Sequence, residues 1–337
     1  MATDGTVQQG PSSALKVPQT FVRVGKSGFT WGLPRSMKLY SVDNETRGMM
    51  GNATKWILRT KDVNDPVFMV KYPQKFGEQE TYTEFFINQF GMTIGFDMAQ
   101  SGLVRLDGDL AFLTRIFTGP DENLRHGSLV IENCFEDEKA LERIRRKEEQ
   151  AFYSIDFVVG VLKLFVGEDF DTIFPKCVEM LVFDALIGSM DRHIQNWGVL
   201  ESVTKPARYR FAPIFDSARA LLWSKDEAKV SGLSADSQAF KAHLLRARPC
   251  LGPKRHHLTQ NRCNHFDFID NLLELYPEPT ERAIQKVPIN VAQRCYRLLR
   301  GFPFNRAFSN GRKQLIVQIV AHRAQTLRGI LAKGGNQ

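Results

Sequence analysis

One stretch of the chain restricts its fold more than any other. Residues 175–187 read as an apolar core helix, after which the chain turns polar through Ser189, Asp191, Arg192, His193, Gln195 and Asn196. A hairpin pattern follows over 197–200 and 209–215, and its second strand runs through Pro213, Ile214 and Phe215 into Asp216 and Ser217. Asp191 and Asn196, five apart, sit where a helix gives way to a strand, and Asp216 directly follows an apolar strand.

The rest of the chain divides by texture. Residues 1–20 are rich in Gly, Ser, Pro, Gln and Thr and read as a flexible tail. Residues 21–120 are mainly strand-like, with short apolar runs at 56–59 and 67–71 and a strand pair around 103–106 and 110–117, turned by Asp107, Gly108 and Asp109. One helix interrupts them, over 83–90 and ended by Gly91. From 121 to 337 helices dominate: a charged one over 136–150, core helices over 153–165 and 175–187, and 3.6-period patterns over 271–275, 291–299 and 313–331. The expected architecture is α+β: a protein-kinase-like pair of lobes, the first small and sheet-rich, the second large and helical.

The polar groups match what phosphoryl transfer needs. One carboxylate must orient the attacking hydroxyl and accept its proton, and an amide with a second carboxylate must hold Mg²⁺ on the phosphates. The kinase catalytic loop places its Asp and Asn at this same spacing of five. A cation for the phosphates is Lys71, at the end of the strand over 67–70. Glu84 opens the helix thirteen residues on and Glu80 lies one turn before it, so either is placed to pair with Lys71. Upstream, the small residues Gly48, Gly51, Asn52, Ala53 and Thr54, with Lys55, make a candidate phosphate loop. Residues 113–117, with Arg115 among them, are the expected hinge for the adenine of ATP.

These residues resemble the HipA-like serine/threonine kinases, toxin-related bacterial enzymes. The resemblance rests on Ile187 to His193 and Asn196, on Pro213 to Asp216, on Val70 and Lys71, and on the closing helix at Arg312 to Val317 with Arg323. It implies Asp191 as catalytic base with His193 beside it, Asn196 and Asp216 as Mg²⁺ ligands, and Lys71 on the ATP phosphates. It further implies a Ser or Thr acceptor on a protein and an antitoxin-type DNA-binding partner. Two departures stand out. The residues before Gly48 suggest a compact form without the separate N-terminal domain, and Gly48 stands where self-silencing members carry serine. Asp191, Arg192, His193 and Asn196 also resemble the catalytic loop of phosphoinositide kinases, which makes a lipid or small-molecule kinase the alternative, alongside a pseudokinase or nucleic-acid-binding module.

Charge and cysteines narrow the setting. Of a net +8, residues from Lys205 onward hold 23 Lys and Arg against 9 Asp and Glu, leaving −6 on the residues before it. Such a basic half suits an anionic partner or a solvated surface, and leaves direct nucleic-acid binding open. Five scattered cysteines fit reduced thiols, and no apolar run reaches membrane-spanning length, so a cytoplasmic protein is expected. Cys250, His256, His257, Cys263 and His265 gather soft and imidazole donors for zinc. Their spacing matches no standard site, and Lys254, Arg255 and Arg262 oppose a cation, which favours a basic surface loop.

Overall fold

The computed structural model describes residues 41–43, 55–59, 66–106, 109–134, 153–205, 207–253 and 263–334. The expected tail over 1–20, the candidate phosphate loop from Gly48 to Thr54, the expected turn residues Asp107 and Gly108, the expected charged helix over 136–150, and His256 and His257 lie outside the described residues.

Five antiparallel strands make the first sheet: β1 (Ser41–Asp43), β2 (Lys55–Arg59), β3 (Phe68–Lys71), β4 (Ser101–Leu106) and β5 (Asp109–Arg115), in the order β1-β2-β3-β5-β4. The period-two alternation of β3 gives the sheet its two faces. Phe68 and Val70 are buried with Leu58, Val104, Ala111 and Leu113 in a small core, while Met69 and Lys71 take the opposite face. Register sets Lys71 across from Lys55 on one side and Phe112 on the other.

Helix α1 (Glu78–Thr93) joins β3 to β4. It starts before the expected residue 83, where Glu80 accepts a hydrogen bond from the Gln74 N–H at 3.3 Å. It also runs through Gly91 instead of ending there. A Cβ at Gly91 would collide with the Met98 side chain and press on Phe183, so this glycine serves close packing rather than termination. Phe85, Phe86 and Phe90 are fully buried. Phe85 and Phe86 each meet Phe304 at 5.4 Å between ring centroids, and Phe86 meets Phe308 at 6.3 Å. The helix is thereby rooted in the large core, not in the sheet's own.

Beyond the first sheet lie β6 (Glu122–His126), β7 (Gly198–Ser202) and β8 (Tyr209–Phe211), a three-stranded antiparallel sheet in that order. The β7–β8 hairpin matches the sequence pattern. β6 escaped it because Glu-Asn-Leu-Arg-His has no apolar alternation and the strand stays half-exposed. The remaining helices are α2 (Gly127–Cys134), α3 (Ile155–Val166), α4 (Phe170–Ile187), α5 (Glu227–Ala235), α6 (Ser237–Arg246), α7 (His265–Leu275), α8 (Pro277–Gln285), α9 (Val291–Arg300), α10 (Phe304–Ala307) and α11 (Asn310–Gly334). α4 is the hub, buried almost continuously from Cys177 to Ile187 and packed by α3, α7, α8 and α11. Two buried arginines of α11 tie distant loops to it. Arg312 donates to Glu227 at 2.7 Å, to the Leu222 carbonyl at 3.1 Å and to the Lys225 carbonyl. Arg323 donates to the carbonyls of Ala185 at 2.6 Å and Leu244 at 2.8 Å. Among the described residues no helix is long and apolar enough to cross a membrane.

The two halves meet behind the polar loop. The segment between α1 and β4 pairs with the strand leading to Asp216: the Ile214 N–H donates to Asp97 O at 2.7 Å and the Ala99 N–H to Ile214 O at 2.9 Å. The Phe117 and Phe215 rings meet at 5.6 Å, tilted 32° to each other.

Candidate active site

Lys71 leaves β3 on the face away from the small core, and both its partners are carboxylates. Its Nζ lies 3.1 Å from Glu84 Oε1 and 2.6 Å from Asp216 Oδ1, so of the two glutamates weighed for the pair it is Glu84 that makes it. Burial works against the ammonium, but the charges of Glu84 and Asp216 outweigh it and hold Lys71 protonated above its usual range. Burial pushes the Glu84 carboxyl up to about 7, against the pull of Lys71 and with Asp216 adding to the rise. The two acids differ in access: side-chain exposure is 5% at Glu84 and 30% at Asp216. Asp216 is held in the left-handed region at φ 52, which aims a carboxylate where the extended strand would not.

The 188–196 loop starts from Gly188, itself left-handed at φ 69 and closing α4. Asn196 donates its Nδ2–H to Asp191 O at 2.7 Å, and its N–H bonds His193 O at 2.9 Å. The amide is thus turned so that Oδ1 is the end left for a hard cation. Asp191 Oδ1 is 3.9 Å from His193 Nε2, and Arg219 approaches both its carboxylate oxygens at 3.4 Å. His193 Nδ1 accepts the Gln195 N–H at 3.2 Å, which fixes the ring.

Sequence reasoning missed what holds this loop. Arg192 is buried and makes a two-pronged ion pair with Asp184 of α4, both contacts at 2.8 Å. The same guanidinium donates to Asn196 O at 2.6 Å, Phe215 O at 2.7 Å and Ser217 Oγ at 2.9 Å. One side chain therefore binds the Asp191–Asn196 loop to both neighbours of Asp216. The available signal was Asp184, an acid inside an apolar helix, which burial allows only with a partner. His265, expected in a basic surface loop, is instead buried at the start of α7: its Nε2 bonds Ser189 O at 2.6 Å, and burial with nearby Arg323 pushes its pKa down to about 3. Cys250 Sγ is on Met190 O at 3.3 Å. Among the described residues no three His, Cys, Asp or Glu side chains gather as a metal cluster.

Arg115, expected at the hinge, ends β5 with its guanidinium on Gln100 Oε1 at 3.0 Å, and Ile116 continues the pairing through Val67 O at 2.8 Å. Lys55 lies on β2, and the rest of the candidate phosphate loop lies outside the described residues. Behind the Lys71 trio, Asn88, Thr114 and Phe112 line a cavity of about 10 Å³, room for about one water and not for a base. The oxygens of Asp216 and Asn196 are the hard donors that Mg²⁺ takes, and their chemistry fits it.

A family model described as the HipA-like C-terminal domain matches residues 37–293. Over 113 residues the chain is 27% identical to the serine/threonine-protein kinase CtkA of Helicobacter pylori, a match covering 30% of this chain and 34% of that protein, about a third of the relative's length. The solved structure of the H. pylori proinflammatory kinase CtkA superposes with a TM-score of 0.70 at 16% identity, covering 89% of this chain and 97% of that one. A HipA from Shewanella oneidensis, solved with HipB and operator DNA, gives a TM-score of 0.48 at 8% identity over 84% of this chain and 65% of that one. The likeness to CtkA shows the fold: a small sheet lobe on a large helical lobe, as in kinases.

Proposed function

The chain belongs to the HipA-like C-terminal domain family, and on that premise we propose that it is a serine/threonine protein kinase. It transfers the γ-phosphoryl of Mg²⁺–ATP to a protein hydroxyl. The observation that carries this reading is Lys71 held between Glu84 and Asp216, the latter 145 residues away in sequence and flanked by residues that Arg192 ties to the Asp191–Asn196 loop. The name of the partial relative CtkA supports the kinase class.

In this reading Lys71 holds the nucleotide phosphates, under a loop of backbone N–H groups from Gly48 to Thr54 with Lys55, and the adenine sits at the hinge near Arg115. Asp216, the more open acid, is given up to the metal, while buried Glu84 keeps Lys71 in place. Asn196 supplies the second metal oxygen. When bound, Mg²⁺ neutralises charge on the phosphates. Asp191 orients the acceptor hydroxyl and takes its proton as the new O–P bond forms and the bond to ADP breaks, with His193 beside it. An antitoxin-type DNA-binding partner and a cytoplasmic setting belong to the same proposal.

The test is mass spectrometry after incubation with Mg²⁺–ATP, alone and with cell lysate, with lipid vesicles in parallel. Phosphate on a Ser or Thr of a protein supports the reading. His193 stands where protein kinases usually have Lys, as in phosphoinositide kinases, so phosphate on lipid alone shifts the proposal to a lipid kinase. Absence of any ATP-dependent transfer sinks it.

A further inference from the structure

A second cation stands at the site, and the scheme above gives it no task. Arg219, three residues past Asp216, places Nε 3.4 Å from Asp191 Oδ2 and Nη1 3.4 Å from Oδ1. Both contacts are long for hydrogen bonds, so the guanidinium leans on the carboxylate without being consumed by it. Its root is fixed. Arg219 O accepts the Met190 N–H at 3.1 Å, immediately before Asp191, and the Leu221 N–H bonds Ile187 O at 3.1 Å with Leu221 in the left-handed region at φ 53. The guanidinium rests 5.6 Å from the Trp223 ring, and Trp223 meets Phe76 edge-on at 5.0 Å. A fixed root and an aromatic shelf aim the arm, while 43% of its side chain stays exposed.

The neighbouring cations already have tasks. Lys71 pairs with Glu84 and Asp216 and is the cation assigned to holding the nucleotide phosphates. Arg192 is buried on Asp184, two carbonyls and Ser217. The catalytic-loop position two residues after Asp191 holds an imidazole with its Nδ1 already accepting a backbone N–H. Phosphoryl transfer spreads negative charge over the equatorial oxygens beside the attacking hydroxyl, and an arginine supplied from the same chain is one known way to meet it.

We propose that Arg219 is a catalytic residue of the transfer. It swings from Asp191 onto the γ-phosphoryl oxygens as the acceptor hydroxyl takes its place at Asp191. The inference rests on the kinase reading. The acceptor O–P bond forms, the P–O bond to ADP breaks with its electron pair leaving on ADP, and the hydroxyl proton passes to Asp191. Arg219 donates hydrogen bonds and no proton.

The experiment compares parent, Arg219→Ala, Arg219→Lys and Asp191→Asn for Mg²⁺–ATP affinity, thermal midpoint and single-turnover transfer at saturating ATP. The acceptor is whichever one the parent modifies. The expected result is a loss of about 10²-fold in transfer for Arg219→Ala, with affinity within about threefold and the midpoint unchanged. Arg219→Lys keeps more rate than Ala, and added guanidinium ion restores part of the Ala variant's rate. An Arg219→Ala rate within about threefold of the parent overturns the assignment, because transition-state charge would then be met elsewhere. A rate above the parent overturns it as well and marks Arg219 as a restraint on Asp191. Lost rate with a lowered midpoint and no rescue reduces the residue to a structural one. With an active parent and inactive Asp191→Asn, those failures touch Arg219 alone; an inactive parent takes down the kinase reading and this inference together.

Discussion

The sheet's own core and the helical core differ in scale and in what they hold. The first is six buried residues, Leu58, Phe68, Val70, Val104, Ala111 and Leu113. The second runs from α1 to α11 and includes the aromatic cluster of Phe85, Phe86, Phe304 and Phe308. Helix α1 bridges the two, lying against β4 and β5 on one side and against α9 and α10 on the other. Lys71 stands on the sheet and Glu84 on this bridging helix, and their 3.1 Å contact reports how the two are seated against each other. The loop over 188–196, by contrast, is anchored by Asp184, Phe215, Ser217 and His265 of the large body.

The hardest test of that contrast is Lys71→Ala. It removes the only side chain the sheet contributes to the trio, so transfer should fall by on the order of 10²–10³-fold. The midpoint should barely move, since Glu84, already pushed up to about 7, can take a proton when its cation is gone. A folded Lys71→Ala protein with parental activity would falsify the assignment of the sheet to phosphate binding. Next come the two acids of the large body. Asp191→Asn should lose on the order of 10²-fold or more in transfer while binding Mg²⁺–ATP almost as the parent does. Asp216→Asn should lose metal-dependent binding as well; nucleotide titrations with and without Mg²⁺ separate them, and the reverse pattern exchanges their roles.

Core truncations sharpen the contrast further. Phe304→Ala removes the ring under α1 and should cost about 3–5 kcal/mol. It should also weaken ATP binding, because Glu84 rides on that helix. Leu113→Ala, within the sheet's core, should cost about 2–5 kcal/mol while leaving α1 seated. Denaturant melts and ATP titrations of both check this, and equal effects on ATP affinity would erase the distinction. The smallest effect is in pH. All seven histidines lie at or after residue 126, so the sheet has none. The His265 pKa is depressed to about 3 in the folded protein, and an unfolded histidine takes a proton near 6.5. Its contribution is therefore full above 6.5 and lost as pH falls toward 3, with a slope of at most about 1.4 kcal/mol per pH unit. Melts from pH 7 to 5 should show a shallower acid loss in His265→Gln than in the parent, and parallel curves would remove His265 as the cause.

What the sequence disclosed was periodic or chemical. The strand at 67–70 alternates, and the helices over 175–187 and 313–331 carry unbroken apolar stripes, so both appear close to their expected places, longer by a turn or less at most ends. Asp191, Asn196, Asp216 and Lys71, the groups proposed to carry the chemistry, stood at recognisable spacing. What stayed hidden depends on contacts between distant residues. Gly91 looks like a helix stop until Met98 is seen pressed against it. His265 reads as part of a surface loop until its ring is found buried on Ser189 O. β6 exists because β7 offers it an edge, and no residue pattern of its own announces that.

The placement of Arg192 bears on how much this chain can be lengthened. The loop with Asp191 and the residues flanking Asp216 are clasped directly by that one side chain, so their spacing does not depend on the connection between them. That connection is the β7–β8 hairpin, whose tip around Val203, Thr204 and Lys205 is exposed. Extra residues at the tip would extend into solvent without reaching the clasp, which makes this hairpin a place where the helical half tolerates insertion, a tag or a reporter domain.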